Sequence, residues 1–130
     1  MWQSEKSENE LAGFLVHHCL QIHRQLGPGL FESVYEKAIG HLCRKHGLWV
    51  EEQKKLRVYF DGEDLGLGFI PDIVIENKII VEVKSVDLLT AVHFKQIHTY
   101  LKIANMKLGL LINFNVPLIK DGIHRVVNKL

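Results

Sequence analysis

Residues 71–84 read PDIVIENKIIVEVK, two apolar runs around a polar tip with three charges set inside them. Asp72 opens the first run, and Glu82 and Lys84 sit within the second. A strand core normally excludes charge, because an ionised group taken out of water is strongly destabilising unless paired. Side chains alternate faces along a strand, so Glu82 and Lys84 point the same way, roughly 6.5–7 Å apart along the backbone. The side taken by Asp72 depends on the turn. A two-residue loop at Asn77-Lys78 pairs Asp72 with Val83 and places Asp72 and Glu82 on opposite faces. A three-residue loop, Glu76-Asn77-Lys78, pairs Asp72 directly with Glu82, with Cα atoms about 4.5–5.5 Å apart. Pro71 adds to the ambiguity, since it cannot donate to a ladder and often marks a bulge or an edge.

In the register that joins them, the two carboxylates repel, and each resists ionisation unless a cation intervenes. A hard divalent cation suits such a place: Mg²⁺, or Mn²⁺ as its substitute, takes oxygen ligands from few side chains and fills its other positions with water or phosphate. Lys84 beside it would stabilise developing negative charge, or help orient or deprotonate an attacking water. That combination is the chemistry of metal-assisted phosphodiester hydrolysis. The bland alternative is a solvated strand face or an exposed cross-strand ion pair, worth under ~1 kcal/mol.

The elements that must position these residues are legible on either side. Ser7-Glu8-Asn9-Glu10 has the spacing of a capping box, and Leu11, Phe14, Leu15, His18 and Ile22 follow at helical steps. Leu26-Gly27-Pro28-Gly29 ends that helix. A second helix starts near Leu30, with Phe31, Val34, Tyr35, Ala38, Ile39, Leu42 and Cys43 as its buried stripe, and Gly47 closes it. Trp49-Val50, Leu56, Val58 and Phe60 read as an extended strand with a turn at Asp61-Gly62, and Leu65, Leu67 and Phe69 lead into the hairpin. Residues 88–104 return to helical spacing through Leu88, Leu89, Val92, Ile97, Tyr100 and Leu101. LGLLINF, residues 108–114, has the continuous apolar character of a strand covered on both faces. The tail IHRVVNKL fits a short strand or a short helix. The expected order is ααβββαβ in one α/β domain over residues 1–130, with helices on a mixed sheet and residues 1–8 as a polar, loosely ordered lead-in.

Sixteen basic against 15 acidic side chains leave a net charge of +1, so a nucleic-acid surface would have to come from local segregation of charge. Arg44-Lys45-His46 and Lys54-Lys55-Leu56-Arg57 are the densest basic clusters, interrupted by Glu51 and Glu52. No stretch approaches the roughly 20 apolar residues of a membrane span, and the polar start lacks the apolar core of a signal peptide, so a cytoplasmic location with no membrane partner is expected. Cys19 and Cys43 read as free, buried thiols. The eight histidines form no H-x-x-x-H pair that would favour zinc. His93 and His98 border the Gln96–Tyr100 helix face, within reach of a phosphate bound there.

Three motifs carry a family resemblance. Gly29-Leu30-Phe31-Glu32-Ser33-Val34-Tyr35 resembles the pattern that names the GxxExxY family. Pro71-Asp72, nine residues, then Glu82-Val83-Lys84 resembles the signature of the PD-(D/E)xK nuclease superfamily, to which that family is assigned. Gln96-Ile97-His98-Thr99-Tyr100 is similar to the Q-x-x-x-Y element that several of those nucleases carry after the catalytic strand. The similarity runs from about Leu11 to Val127 and includes LGPGL, LLINF and the VPL that follows.

The resemblance implies a restriction-endonuclease-like core with a metal site at the edge of the sheet. It makes Asp72 and Glu82 metal ligands, the Val83 carbonyl a third, Lys84 the catalytic lysine, and Glu32 an additional carboxylate acting directly or through water. Gln96 and Tyr100, four residues apart on one helix face, would position substrate. Each has a structural alternative: Glu32 also suits the helix dipole of a first turn, and Gln96 with Tyr100 also suits helix–sheet packing. Tyr35, on the buried stripe, reads as a core residue with a satisfied hydroxyl. The expected activity is a Mg²⁺-dependent endonuclease acting on DNA, or on RNA. A homodimer would supply the two cuts that a duplex needs. The competing expectation is a catalytically silent module of the same fold that binds nucleic acid or a protein partner without metal.

Overall fold

The computed structural model describes residues 6–130, and its first helix begins where the capping pattern places it. Helix α1 (Glu8–Leu26) is opened by Ser7, whose Oγ accepts the Glu10 N–H at 3.2 Å while Glu10 Oε1 accepts the Ser7 N–H at 3.2 Å. Residues 1–5 of the expected lead-in lie outside the described residues, and Ser7 and Glu8 already belong to the helix start. Helix α2 (Glu32–Lys45) packs beside α1, with Phe14, His18 and His46 in ring contact between them.

Five strands follow before the next helix, where three were expected. They are β1 (Val50–Glu52), β2 (Leu56–Phe60), β3 (Glu63–Phe69), β4 (Ile73–Ile75) and β5 (Ile79–Lys84). Helix α3 (Ala91–Ala104), β6 (Leu108–Asn113), a 3₁₀ turn (Ile119–Asp121) and β7 (Ile123–Val127) complete the chain. The α/β class with a mixed sheet between helices is as expected, but the ααβββαβ order expands. Gln53, at a positive φ of 55°, separates β1 from β2, and the tail resolves into a strand paired to β6.

The main sheet runs β1-β4-β5-β6-β7, parallel only between β5 and β6; β2 and β3 form a separate two-stranded arm. Along β5, Ile79, Val81 and Val83 join the core under α1 and α2, while Ile80 joins Ile97 and Leu101 of α3 on the other face. Both faces are covered, which is why β5 and β6 read as unbroken apolar runs. Gly109 lets α3 come close, because a Cβ there would lie 2.8 Å from Ile97 Cδ1.

Several expected stripe residues lie outside the core. Phe31 is 83% exposed, Leu88 precedes α3 in a loop, and Val92 sits on the solvent side of that helix. Cys19 and Cys43 are free and buried, and burial pushes both thiols up to about 12. Among the described residues, no helix is long and apolar enough to cross a membrane.

Candidate functional site

The β4–β5 turn takes the three-residue form. Glu76 and Asn77 adopt positive φ of 54° and 53°, the Lys78 N–H bonds to the Ile75 carbonyl at 2.9 Å, and Ile75 stands opposite Ile79. Ile73 then pairs with Val81, so the next positions in line are Asp72 and Glu82. By alternation, Glu82 follows Ile80 onto the α3 face, and Lys84 follows Glu82. Pro71 lies just before the ladder and so interrupts nothing.

At this end of the hairpin, side chains replace backbone pairing. Asp72 Oδ2 accepts the Val83 N–H at 2.8 Å, and Glu82 Oε2 lies 3.4 Å from the Asp72 N–H. Glu82 is only 5% exposed. Burial, then a hydrogen bond and like-charge repulsion from Asp72, push its carboxyl up to about 9, and the positive field of Lys84 opposes the rise. Glu82 therefore keeps its proton at neutral pH, as one member of a close pair of acids does when no cation neutralises it.

Helix α2 supplies two more acids from the opposite side. Glu36 hydrogen-bonds Asp72, and its carboxyl is pushed up to about 7 by burial, by Asp72, and more weakly by Glu32 and Glu52. The sequence reading missed Glu36. The signal was available, since Glu32 and Glu36 are four apart and share a helix face. Glu32 itself reaches the end of β5, where its Oε2 accepts the Ser85 N–H at 3.1 Å.

The loop before α2 is held by Tyr35. Its hydroxyl donates to the Gly27 carbonyl at 2.6 Å and accepts the Leu30 N–H at 3.1 Å, and its ring stacks on Phe114 at 4.2 Å. Gly29, at φ 94°, makes a bend there that L side chains rarely adopt. The Leu30 carbonyl in turn accepts from Ser85 Oγ at 2.7 Å. Tyr35 is thus a fully buried brace that fixes the α2 start against the strand carrying Glu82 and Lys84.

Across the sheet, Gln96 Nε2 donates to the Tyr100 hydroxyl at 2.9 Å, and Tyr100 stacks on Phe69 of β3 at 4.2 Å. Burial and the fields of Glu82 and Asp72 raise the Tyr100 phenol, which places it at the rim of the acidic group. His93 is a helix-start partner, with Nδ1 accepting the Thr90 N–H at 3.1 Å. Within the basic clusters, Arg44 meets Glu52, which Lys37 of α2 also meets, Lys54 meets Glu51, and Arg57 meets Asp64.

The donor set has the chemistry a hard divalent cation takes, carboxyl oxygens crowded enough to raise Glu82 and Glu36. Its arrangement is that of hydrogen-bonded acids gathered on Asp72. Among the described residues, no group of three or more His, Cys, Asp or Glu side chains stands at metal-holding geometry. The fit lies in the kind and burial of the donors.

Set where the interior strands β4 and β5 of a five-stranded mixed sheet part, this geometry meets an independent finding: a family model described as the PD-(D/E)XK nuclease superfamily matches residues 9–126. The chain belongs to that superfamily. Neither the curated proteins nor the solved structures contain a significant match to it. Nucleases of the PD-(D/E)XK superfamily act on nucleic acid and generally depend on divalent metals. The mixed sheet flanked by helices is consistent with their restriction-endonuclease-like fold.

Proposed function

We propose that the chain is a divalent-metal-dependent nuclease that hydrolyses phosphodiester bonds of DNA, with RNA as the other candidate substrate, and that it belongs to the GxxExxY group of the superfamily. The observation that carries this reading is the register of the β4–β5 hairpin, which aligns Asp72 with Glu82 beside Lys84. Asp72 and Glu82, with the Val83 carbonyl, would hold Mg²⁺, and Glu32 and Glu36 would support them from α2. When bound, the ion supplies charge neutralisation and Lewis acidity at the scissile phosphate.

The chain's own residues do the rest. Lys84, on the face of Glu82, orients the attacking water and stabilises negative charge as it develops. Asp72 anchors the site to β5 through the Val83 N–H. Gln96 and Tyr100, already hydrogen-bonded to each other, position the substrate backbone. A homodimer is the proposed means of cutting both strands of a duplex.

Nicking of supercoiled plasmid in Mg²⁺ or Mn²⁺ tests the proposal. Wild type should nick, chelation should stop it, and Lys84→Ala should slow it by about a hundredfold or more. Linear product formed alongside the nicked form would mark paired sites. Nicking that survives both Lys84→Ala and Asp72→Asn would overturn the reading. Nucleic-acid binding without any cleavage would favour the silent module instead.

A further inference from the structure

Phe31 breaks two local rules in one place. It is the N-cap of α2, a position that favours Ser, Thr, Asp or Asn, and it makes no capping side-chain bond. It is also 83% exposed, the most exposed of the large apolar side chains in the described residues. Local rules are usually broken where function demands it. The residue lines an open cavity of about 580 Å³ whose other walls include Glu32, Ser33, Ser85 and Asn115. The Ser85 N–H donates to Glu32, and Ser85 follows Lys84 in the chain, so the cavity borders the candidate site. An exposed aromatic ring beside polar walls suits a flat, apolar-faced ligand with hydrogen-bonding edges. A nucleobase is such a group, and it is free to stack on a side chain only when it has left a duplex.

We propose that Phe31 is a stacking platform for an unpaired nucleobase of the substrate strand, seated in the cavity beside Glu32. The inference rests on the nuclease reading and adds a substrate class: strands with at least one unstacked nucleotide next to the cleaved bond. The hydroxyls of Ser33 and Ser85 and the amide of Asn115 line the place where the base edge or sugar lies.

The test is fluorescence anisotropy with a labelled single-stranded oligonucleotide and the matching duplex, using wild type, Phe31→Ala, Phe31→Ser and Phe31→Trp. Phe31→Ala should weaken single-strand binding about tenfold and leave duplex binding unchanged. Phe31→Trp should restore it, and its emission should be quenched by the oligonucleotide beyond any change that Trp2 and Trp49 give in wild type. Phe31→Ser should bind as poorly as Phe31→Ala while melting at a higher temperature, because serine caps the helix. Equal affinity of wild type and Phe31→Ala for the single strand would overturn the inference alone. So would loss of a dimer in Phe31→Ala, seen by sedimentation, without loss of affinity. Failure of wild type to bind either oligonucleotide would overturn the nuclease reading and this inference with it.

Discussion

Asp72 is the hub of a cluster in which Glu36, Glu82 and a backbone N–H all bond one carboxyl, and pH reads the consequence. The Glu82 carboxyl moves from an ordinary 4.5 to about 9, so across that window the folded chain binds more protons than the unfolded chain. Stability should therefore fall as pH rises through it, with Glu36 contributing between about 4.5 and 7. In chelator, the melting temperature should drop by several degrees between the acid and alkaline ends of the window, and Glu82→Gln should flatten that slope. An equal slope in wild type and variant, followed by thermal unfolding, would show that Glu82 is not held this way. Tyr35 makes a separate prediction. Removing its hydroxyl leaves the Gly27 carbonyl and the Leu30 N–H without their partner, so Tyr35→Phe should lose about 1–3 kcal/mol in urea unfolding. It should also lower nicking, because the brace sets the position of Glu32.

Two elements bring the acids and the Gln96–Tyr100 pair together: the β4–β5 hairpin and helix α3. The helix lies close because position 109 has no side chain. Gly109→Ala would place a Cβ 2.8 Å from Ile97 Cδ1 and 3.1 Å from its Cγ1, so the Ile97 side chain or the helix must give way, at about 1–3 kcal/mol. It should also weaken nicking by displacing Gln96 and Tyr100, with urea unfolding and the plasmid assay as readouts. The helices, both apolar runs and the acids of the hairpin were legible from periodicity and residue type. The register was not, because PDIVIENKIIVEVK accommodates two loop lengths that differ only in which face Asp72 takes. The positive φ values at Glu76 and Asn77 decide it. Phe31 misled for a related reason. It falls on the helical stripe by spacing, but at the cap its backbone has left the helix, with φ −66° and ψ 150°.

At the scale of the molecule the net charge is +1, and Arg44, Lys54 and Arg57 of the two basic clusters each meet an acid. These pairs reduce the positive charge that the two clusters offer to a phosphate backbone. Affinity for nucleic acid would then depend on the site and the aromatic side chains at its rim more than on phosphate neutralisation. The expected sign is a shallow loss of oligonucleotide affinity with added salt, measured by anisotropy. Superfamily membership supplies the fold, while the chemistry and the ligand set are matters for this chain's own residues. Calorimetric titration of Mn²⁺ into wild type, Asp72→Asn and Lys84→Ala tests that set most directly. Wild type and Lys84→Ala should bind the ion with similar affinity, and Asp72→Asn should bind at least about tenfold more weakly. Unchanged binding in Asp72→Asn, or none in wild type, would contradict the account.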